Sequence, residues 1–97
     1  MSVYVARSRE IAARSLDGEM IVMSMRDSRL FTLNEVATEI WLAADGHTPL
    51  SRIVEDKVCA KFETEPEAAY ADAENLCRGL AEHGIMVISD QPIESAR

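Results

Sequence analysis

The sequence lacks the features that mark secreted, membrane-spanning and zinc-binding chains. Its longest apolar runs fall far short of the roughly 20 residues that cross a bilayer, and its first nine residues contain no apolar signal-peptide core. Its two cysteines, Cys59 and Cys77, lie in separate predicted helices without a CxxC pair or a Cys/His cluster. We therefore expect a cytoplasmic chain with two small reduced thiols, and a regulatory disulfide stays open as an alternative.

The motifs of common catalytic sites are also missing. The sequence has no glycine-rich phosphate loop, no HExxH and no GxSxG. Its serines have no nearby histidine to activate them. Of the two histidines, His47 falls in a predicted loop and His83 in the last turn of a predicted helix, where a cation interacts favourably with the helix dipole. We therefore expect no catalytic activity, no cofactor and no bound metal.

Charge is distributed unevenly along the 97 residues, whose net charge is −7. Residues 1–33 carry five arginines against four acidic residues, whereas residues 34–97 carry five basic residues against thirteen acidic ones. Nucleic-acid binding depends on basic side chains that neutralise phosphates, so the helical part has the wrong sign for that partner. A basic or amphipathic peptide is a better match, in a chain whose length predicts one domain over residues 1–97.

Alternating apolar residues in the first third of the chain predict a three-stranded antiparallel meander. The strands are Ile11–Leu16, Met20–Met25 and Arg29–Leu33. The pair Asp17-Gly18 between the first two is favoured in two-residue type I′ turns, since both positions need positive φ. On the second strand we expect Ile21, Met23 and Met25 to face the core and Met20 to lie on the other, more exposed face.

Helical spacing begins directly after the meander. Asn34 is a good N-cap for a helix from about Glu35 to Ala44, and Trp41 lies on its apolar stripe, which favours the core over an oligomer interface. A second helix is predicted to begin with Thr48 as its cap and Pro49 at its first position. Its buried face is expected to comprise Leu50, Ile53, Val54, Val58 and Phe62.

The third predicted helix runs to about His83 and ends at Gly84. Thr64 is its predicted cap, with Glu67 completing a capping box. Its apolar stripe, rich in small residues, comprises Ala69, Ala73, Leu76, Cys77 and Leu80. Gly79 costs about 1 kcal/mol relative to alanine inside a helix, and its presence predicts a close contact there.

A short strand near Ile85–Ile88 and a frayed tail from Asp90 to Arg97 complete the prediction. The ordered core is expected over about residues 9–89. Because the strand Arg29–Leu33 leads straight into a helix, no later strand is assigned to its free side. An open sheet edge exposes unpaired N–H and C=O groups that pair readily with another chain. We interpret this edge as the binding surface of the protein.

The order of these elements resembles the PqqD-like family, named for coenzyme PQQ (pyrroloquinoline quinone) synthesis protein D. The likeness rests on a third strand ending in Leu33-Asn34, a helix ending in Asp45-Gly46, a Thr48-capped helix and a closing Gly84-Ile85. It covers about residues 9–89. The resemblance implies an α+β, winged-helix-like fold with a three-stranded antiparallel sheet, three helices and a short C-terminal strand.

The resemblance also implies a function, that of a RiPP recognition element, where RiPP denotes a ribosomally synthesised and post-translationally modified peptide. Such domains bind the leader of a precursor peptide as an added strand and present it to a radical S-adenosylmethionine enzyme, a cyclase or a leader protease. Carried over to this sequence, one wall of the groove is formed by Arg29, Leu30, Phe31, Thr32 and Leu33. The other wall is formed by Ala69, Asp72, Ala73, Leu76, Gly79 and Leu80.

Two other interpretations fit the same elements. A winged-helix DNA-binding protein has a similar element count, but its recognition helix carries basic side chains. The third helix here has Glu67, Asp72, Glu74 and Glu82 against Arg78. A structural dimerisation module would instead pair the open third-strand edge with its own copy, giving a homodimer.

Overall fold

A computed structural model describes residues 3–93, which form two three-stranded antiparallel sheets packed against helices. One sheet has the order β5-β1-β6 and the other β2-β3-β4. The predicted α+β class, with an antiparallel meander, helices and a C-terminal strand, is confirmed. In chain order the elements are β1 (Tyr4–Arg7), β2 (Ile11–Leu16), β3 (Glu19–Ser24), β4 (Leu30–Leu33), α1 (Glu35–Ala43), β5 (Asp45–Pro49), α2 (Leu50–Ile53), a π-helical turn (Val54–Cys59), α3 (Ala60–Phe62), α4 (Pro66–Glu82) and β6 (Met86–Ser89).

The β2–β3 hairpin turns at the predicted pair. Asp17 and Gly18 both have positive φ, at 53° and 83°, which is the conformation that a type I′ turn requires. The pair Leu16↔Glu19 flanks this turn, and the register continues to Ile11↔Ser24. The hairpin therefore forms from local turn chemistry, as the sequence predicts.

The prediction for the faces of β3 was wrong. Met20, Val22 and Ser24 are buried, whereas Met25 is 60% exposed in the turn beyond the strand. The register explains this, because Met20 lies opposite the buried Leu33 of β4. Hydropathy favoured the other face because Ser24 is polar, but its Oγ accepts a hydrogen bond from the Arg26 amide at 3.2 Å and so tolerates burial.

The second sheet was not anticipated from the sequence. Its central strand β1 pairs with β5 on one side and with β6 on the other. The prediction of Thr48 as a helix cap was wrong, because this residue lies within β5. Its hydroxyl donates instead to Asp45 Oδ2 at 3.2 Å. The His47 amide, which donates to Asp45 Oδ1, and then the Thr48 amide hold the pKa of Asp45 below its usual value.

Helix α1 begins as predicted, with Asn34 Oδ1 accepting from the Ala37 amide at 2.9 Å. The second helical run is continuous from α2 through the π-helical turn to α3, and Pro49 precedes it as N-cap. The capping box predicted for α4 was wrong. Glu65 is the N-cap, Pro66 is the first helical residue, and the Thr64 hydroxyl donates to the Glu65 carbonyl.

The core lies between the sheets and the helices. Its fully buried side chains include those of Val5, Val22, Ile40, Leu50 and Ile85. Trp41 is buried as predicted, with the Arg7 guanidinium 5.7 Å from its ring centroid. That guanidinium also donates to the Trp41 carbonyl at 3.1 Å, so β1 is tied to the end of α1. Such a cation–π contact adds to the attachment of the strand.

Both thiols are free in the structure. Cys77 is fully buried, and desolvation raises its pKa to about 12. A thiol that stays protonated is a poor nucleophile, so Cys77 behaves as a small apolar side chain of the core.

Gly79 does not make the close contact that was predicted. It is exposed, and a Cβ built at this position meets nothing within 4 Å. We therefore expect Gly79→Ala to raise the free energy of unfolding by about 0.5–1 kcal/mol, because alanine restricts the unfolded chain and favours the helix. Urea denaturation followed by circular dichroism measures the change.

Gly84 is the matched control for that substitution. Its φ is +77°, and a Cβ there would lie 2.7 Å from Arg26 Nη1. Gly84→Ala should therefore destabilise the fold. A stability that falls with Gly79→Ala would contradict the open surroundings of that residue.

The residues that follow β6 contact the second sheet. The Ile93 amide donates to the Gly46 carbonyl at 2.8 Å, so the first residues of the predicted tail reach β5. Positions 94–97 of that tail lie outside the described residues. Within residues 3–93, no helix is both long and apolar enough to cross a membrane.

Candidate functional site

Strand β4 forms an open border of the meander. Among residues 3–93 it pairs with β3 alone. Arg29, which was predicted as its first residue, precedes the strand, and both of its main-chain groups already have partners. Its carbonyl accepts from the Ser24 amide at 2.9 Å, and its amide donates to Asp27 Oδ1 at 3.2 Å, which also lowers the pKa of Asp27. The free edge therefore begins at Leu30.

The register shows which amides of β4 face outward. In an antiparallel ladder, residues bonded to the neighbouring strand alternate with residues that point away from it. The Arg29 carbonyl points toward β3, so Phe31 and Leu33 also bond inward, opposite Val22 and Met20. Leu30 and Thr32 therefore direct their N–H and C=O groups away from the sheet.

A groove of about 480 Å³ lies between the end of β4, the start of α1 and the first half of α4. Six of the predicted site residues line it, three of them small or apolar residues of α4. They are Thr32, Leu33, Ala69, Asp72, Ala73 and Leu76. The open edge and the small-residue face of α4, which were inferred separately, thus adjoin one cavity.

The floor of the groove comes from α1, whose residues were not among the predicted site residues. Ala37 and Ile40 are buried on α1, and Val36 is half-buried beside them. The remaining lining residues are Asn34, Val58, Thr64 and Ala68. The apolar stripe of α1 was visible in the sequence, but its spacing alone cannot separate core positions from those that line an open groove.

Asp72 is the one charged residue lining this groove within the described chain. Its side chain is exposed and forms no ion pair there, whereas Glu74 on the same helix binds Arg78 at 2.6 Å. A carboxylate without a partner beside an apolar groove attracts a cationic group. The groove therefore combines an apolar floor with one negative charge at its rim.

The other predicted site residues lie outside this lining. The ring of Phe31 is 5.0 Å from that of His83, between centroids, so the two side chains connect β4 to the C-terminal end of α4. Leu80 is buried in the core, and Gly79 is exposed. Leu30 is 67% exposed on the opposite face of the sheet from Phe31. These four residues, like Arg29, therefore do not line the groove.

The groove has no grouping suited to metal chemistry. Over residues 3–93, no set of three or more His, Cys, Asp or Glu side chains is placed to hold a metal ion. The arrangement that the site does offer is an unpaired strand edge beside an apolar cleft, which suits an extended peptide.

Comparisons with known proteins agree with this fold. No curated protein matches the sequence. The structure is similar to one described as "TbiB1 in Complex with the TbiA(beta) Leader Peptide", with a TM-score of 0.74 and 20% sequence identity. The likeness covers 84% of this chain and 93% of that chain.

The family comparison reaches further than the fold. The model of the family described as "Coenzyme PQQ synthesis protein D (PqqD)" matches residues 19–86. That range includes β3, β4, α1 and α4, the elements that build the open edge and the groove. Since the match spans well over half of the sequence, the chain belongs to the PqqD family.

Proposed function

We propose that this protein is a non-catalytic peptide chaperone that binds the leader of a ribosomally made precursor peptide. The leader adds as a strand to β4, and the complex is presented to a modifying enzyme, such as a radical S-adenosylmethionine enzyme or a cyclase, or to a leader protease. The observation that carries this proposal is the open β4 edge directly beside an apolar groove. The leader peptide named in the TbiB1 structure supports the same partner class.

Main-chain pairing supplies part of the affinity. The N–H and C=O groups of Leu30 and Thr32 offer about four hydrogen bonds, each with a net value of about 0.5–1.5 kcal/mol. Ordering a flexible leader consumes part of this free energy. Burial of leader side chains in the groove therefore has to contribute, and a total of about −8 to −9 kcal/mol corresponds to micromolar or submicromolar binding.

Side chains of the leader provide selectivity. Alternate residues of an added strand point to the same face, so every second leader residue enters the groove between β4 and α4. The apolar floor formed by Ala37 and Ile40 favours apolar side chains. Asp72 at the rim favours a lysine or arginine next to them. The preferred leader is therefore an alternating apolar segment with a basic residue.

Replacing Thr32 by proline tests strand addition. The substitution removes one outward amide and places a ring where the leader backbone would pair. We expect leader affinity to fall at least about tenfold, while the melting temperature changes little. Isothermal titration with candidate leaders from neighbouring reading frames measures the affinity.

Phe31→Pro is the matched control, since the Phe31 amide points toward β3. It should break the internal ladder and destabilise the fold. A Thr32→Pro protein that binds leader as tightly as the parent would contradict strand addition.

The same titration tests the negative charge of Asp72 at the rim of the groove. Asp72→Lys should weaken binding of a leader with a basic residue, and unchanged binding would remove that role.

A nucleic-acid-binding function has no comparable support. The exposed side of α4 carries Glu67, Asp72 and Glu82, and its one basic residue, Arg78, is already paired with Glu74. A helix with this charge repels phosphates. The acidic α4 therefore favours a peptide partner over DNA.

A further inference from the structure

Strand β2 forms the second open border of the meander, on the side opposite the proposed leader site. Among residues 3–93 it pairs with β3 alone. Five of its six residues are exposed, and only Ile11 is half-buried. The hairpin thus projects from the body of the protein, and both faces of β2 are accessible over most of the strand. An exposed strand of this kind is a template for pairing with another chain.

The register identifies the free main-chain groups of β2. Leu16 and Glu19 flank a two-residue turn, which makes them a hydrogen-bonded pair. By alternation, Ala12 and Arg14 also bond to β3, and the bond from the Met25 amide to the Glu10 carbonyl, 2.9 Å long, continues this series. Ile11, Ala13 and Ser15 therefore direct their N–H and C=O groups away from the sheet.

We propose that this edge pairs with the same edge of a second copy of the chain, antiparallel about a two-fold axis. The two copies would form one six-stranded sheet in the order β4-β3-β2-β2-β3-β4. Both β4 edges stay at the outer borders, so each copy keeps its groove. The proposal does not depend on leader binding, and it uses a different edge from self-pairing through β4.

Charge complementarity favours a second copy of the chain as the partner of β2 and determines the register of the two strands. Glu10 lies one residue before β2, where its carbonyl continues the ladder by accepting from the Met25 amide, so by alternation its side chain is on the same face as that of Arg14. Both residues are exposed, and neither forms an ion pair within the described chain. With Ala12 on the two-fold axis, Glu10 of each copy lies opposite the partner's Arg14, so that two opposite-charge pairs form. Cross-strand pairs of this kind stabilise a sheet, whereas like charges directly opposite destabilise it.

The alternatives are less favourable. In a register shifted by one residue, main-chain groups that already bond to β3 would lie opposite free groups of the partner strand. The alternation of bonded and free residues along β2 excludes such a register. Placing Arg14 on the axis would set two arginines opposite each other. Placing Ala13 on the axis leaves Glu10 opposite the partner's Leu16. The register with Ala12 on the axis is the one that pairs the exposed charges.

Sedimentation equilibrium of the full chain tests the proposal. An interface of one strand pair is small, so we expect reversible dimerisation with a dissociation constant between about 10 μM and about 1 mM. Glu10→Arg and Arg14→Glu should each weaken dimerisation at least about tenfold, because each creates like-charge pairs across the axis. The double variant Glu10→Arg/Arg14→Glu should restore it. A monomer throughout this range, single variants without effect, or a double variant that stays monomeric would each overturn the proposal.

Disulfide capture tests the register independently. Ala12 on the two-fold axis lies opposite Ala12 of the second copy, and the two residues form a non-hydrogen-bonded pair. The Cα atoms of such a pair are about 4.5 Å apart, within the range that a disulfide spans. In a Cys59→Ser background, Ala12→Cys should therefore form an intermolecular disulfide under mild oxidation. Ala13→Cys, which faces the partner's Ile11 in this register, is the matched control. Efficient capture by Ala13→Cys and not by Ala12→Cys would overturn the register and the charge pairing on which it rests.

Discussion

Ala68→Trp is expected to abolish leader binding while the fold is retained. Ala68 is exposed near the start of α4 and lines the groove. An indole ring at this position would lie over the apolar floor formed by Val36 and Ile40 and occupy the space that we propose for leader side chains. We expect the affinity to fall at least about 100-fold, which corresponds to about 2.7 kcal/mol. Isothermal titration against the parent protein measures the loss.

Thermal unfolding and a second tryptophan variant complete this experiment. Burial of the new ring against the groove floor should leave the melting temperature of Ala68→Trp unchanged or higher, since apolar burial stabilises the fold. Ala71→Trp is the control, because Ala71 is also exposed on α4 but lies outside the groove. It should bind leader normally. A folded Ala68→Trp protein with parental affinity would place the leader elsewhere.

The sequence predicted two parts of the candidate site, the β4 edge and the α4 face, and missed the third part, the floor from α1. The edge of β4 followed from the change of periodicity at Asn34, and the small-residue face of α4 followed from helical spacing. Both are local patterns. The floor from α1 was missed because Val36 and Ile40 satisfy the same stripe whether they face a neighbouring helix or an open groove. Only the packing of α4 against α1 decides which residues stay accessible.

Long-range pairing explains the errors in the sheets. Hydropathy placed Met25 in the core, but the pairing of Met20 with Leu33 reversed the faces of β3. Strand β5 contains Gly46 and Pro49, residues that are uncommon in strands, and it is extended because β1 pairs with it. Neither the inward position of Ser24 nor the strand β5 can be inferred from neighbours in the sequence. Gly79 was over-interpreted for a different reason, because an exposed helix position tolerates glycine at a modest cost without any close contact.

The strand β1 was missed entirely, and its removal carries the second large expected effect. A chain that begins at Arg9 matches the ordered core expected from the sequence, but it lacks Tyr4–Arg7. That strand is the centre of the β5-β1-β6 sheet, and Val5 is fully buried. The Leu50 amide also donates to the Val3 carbonyl at 2.7 Å. We expect deletion of residues 1–8 to abolish cooperative unfolding, as measured by circular dichroism during urea denaturation.

The physical reason is that β1 is the strand with which both β5 and β6 pair, and it also contributes to the core. Without it, β5 and β6 lose their shared neighbour, and unpaired backbone groups beside a core are costly. Val5→Ala separates side-chain packing from backbone pairing. It should keep a cooperative transition and lower the free energy of unfolding by about 2 kcal/mol, or the melting temperature by about 10 °C in a domain of this size. A truncated chain with a cooperative transition close to that of the parent would show that the meander and helices fold without the second sheet.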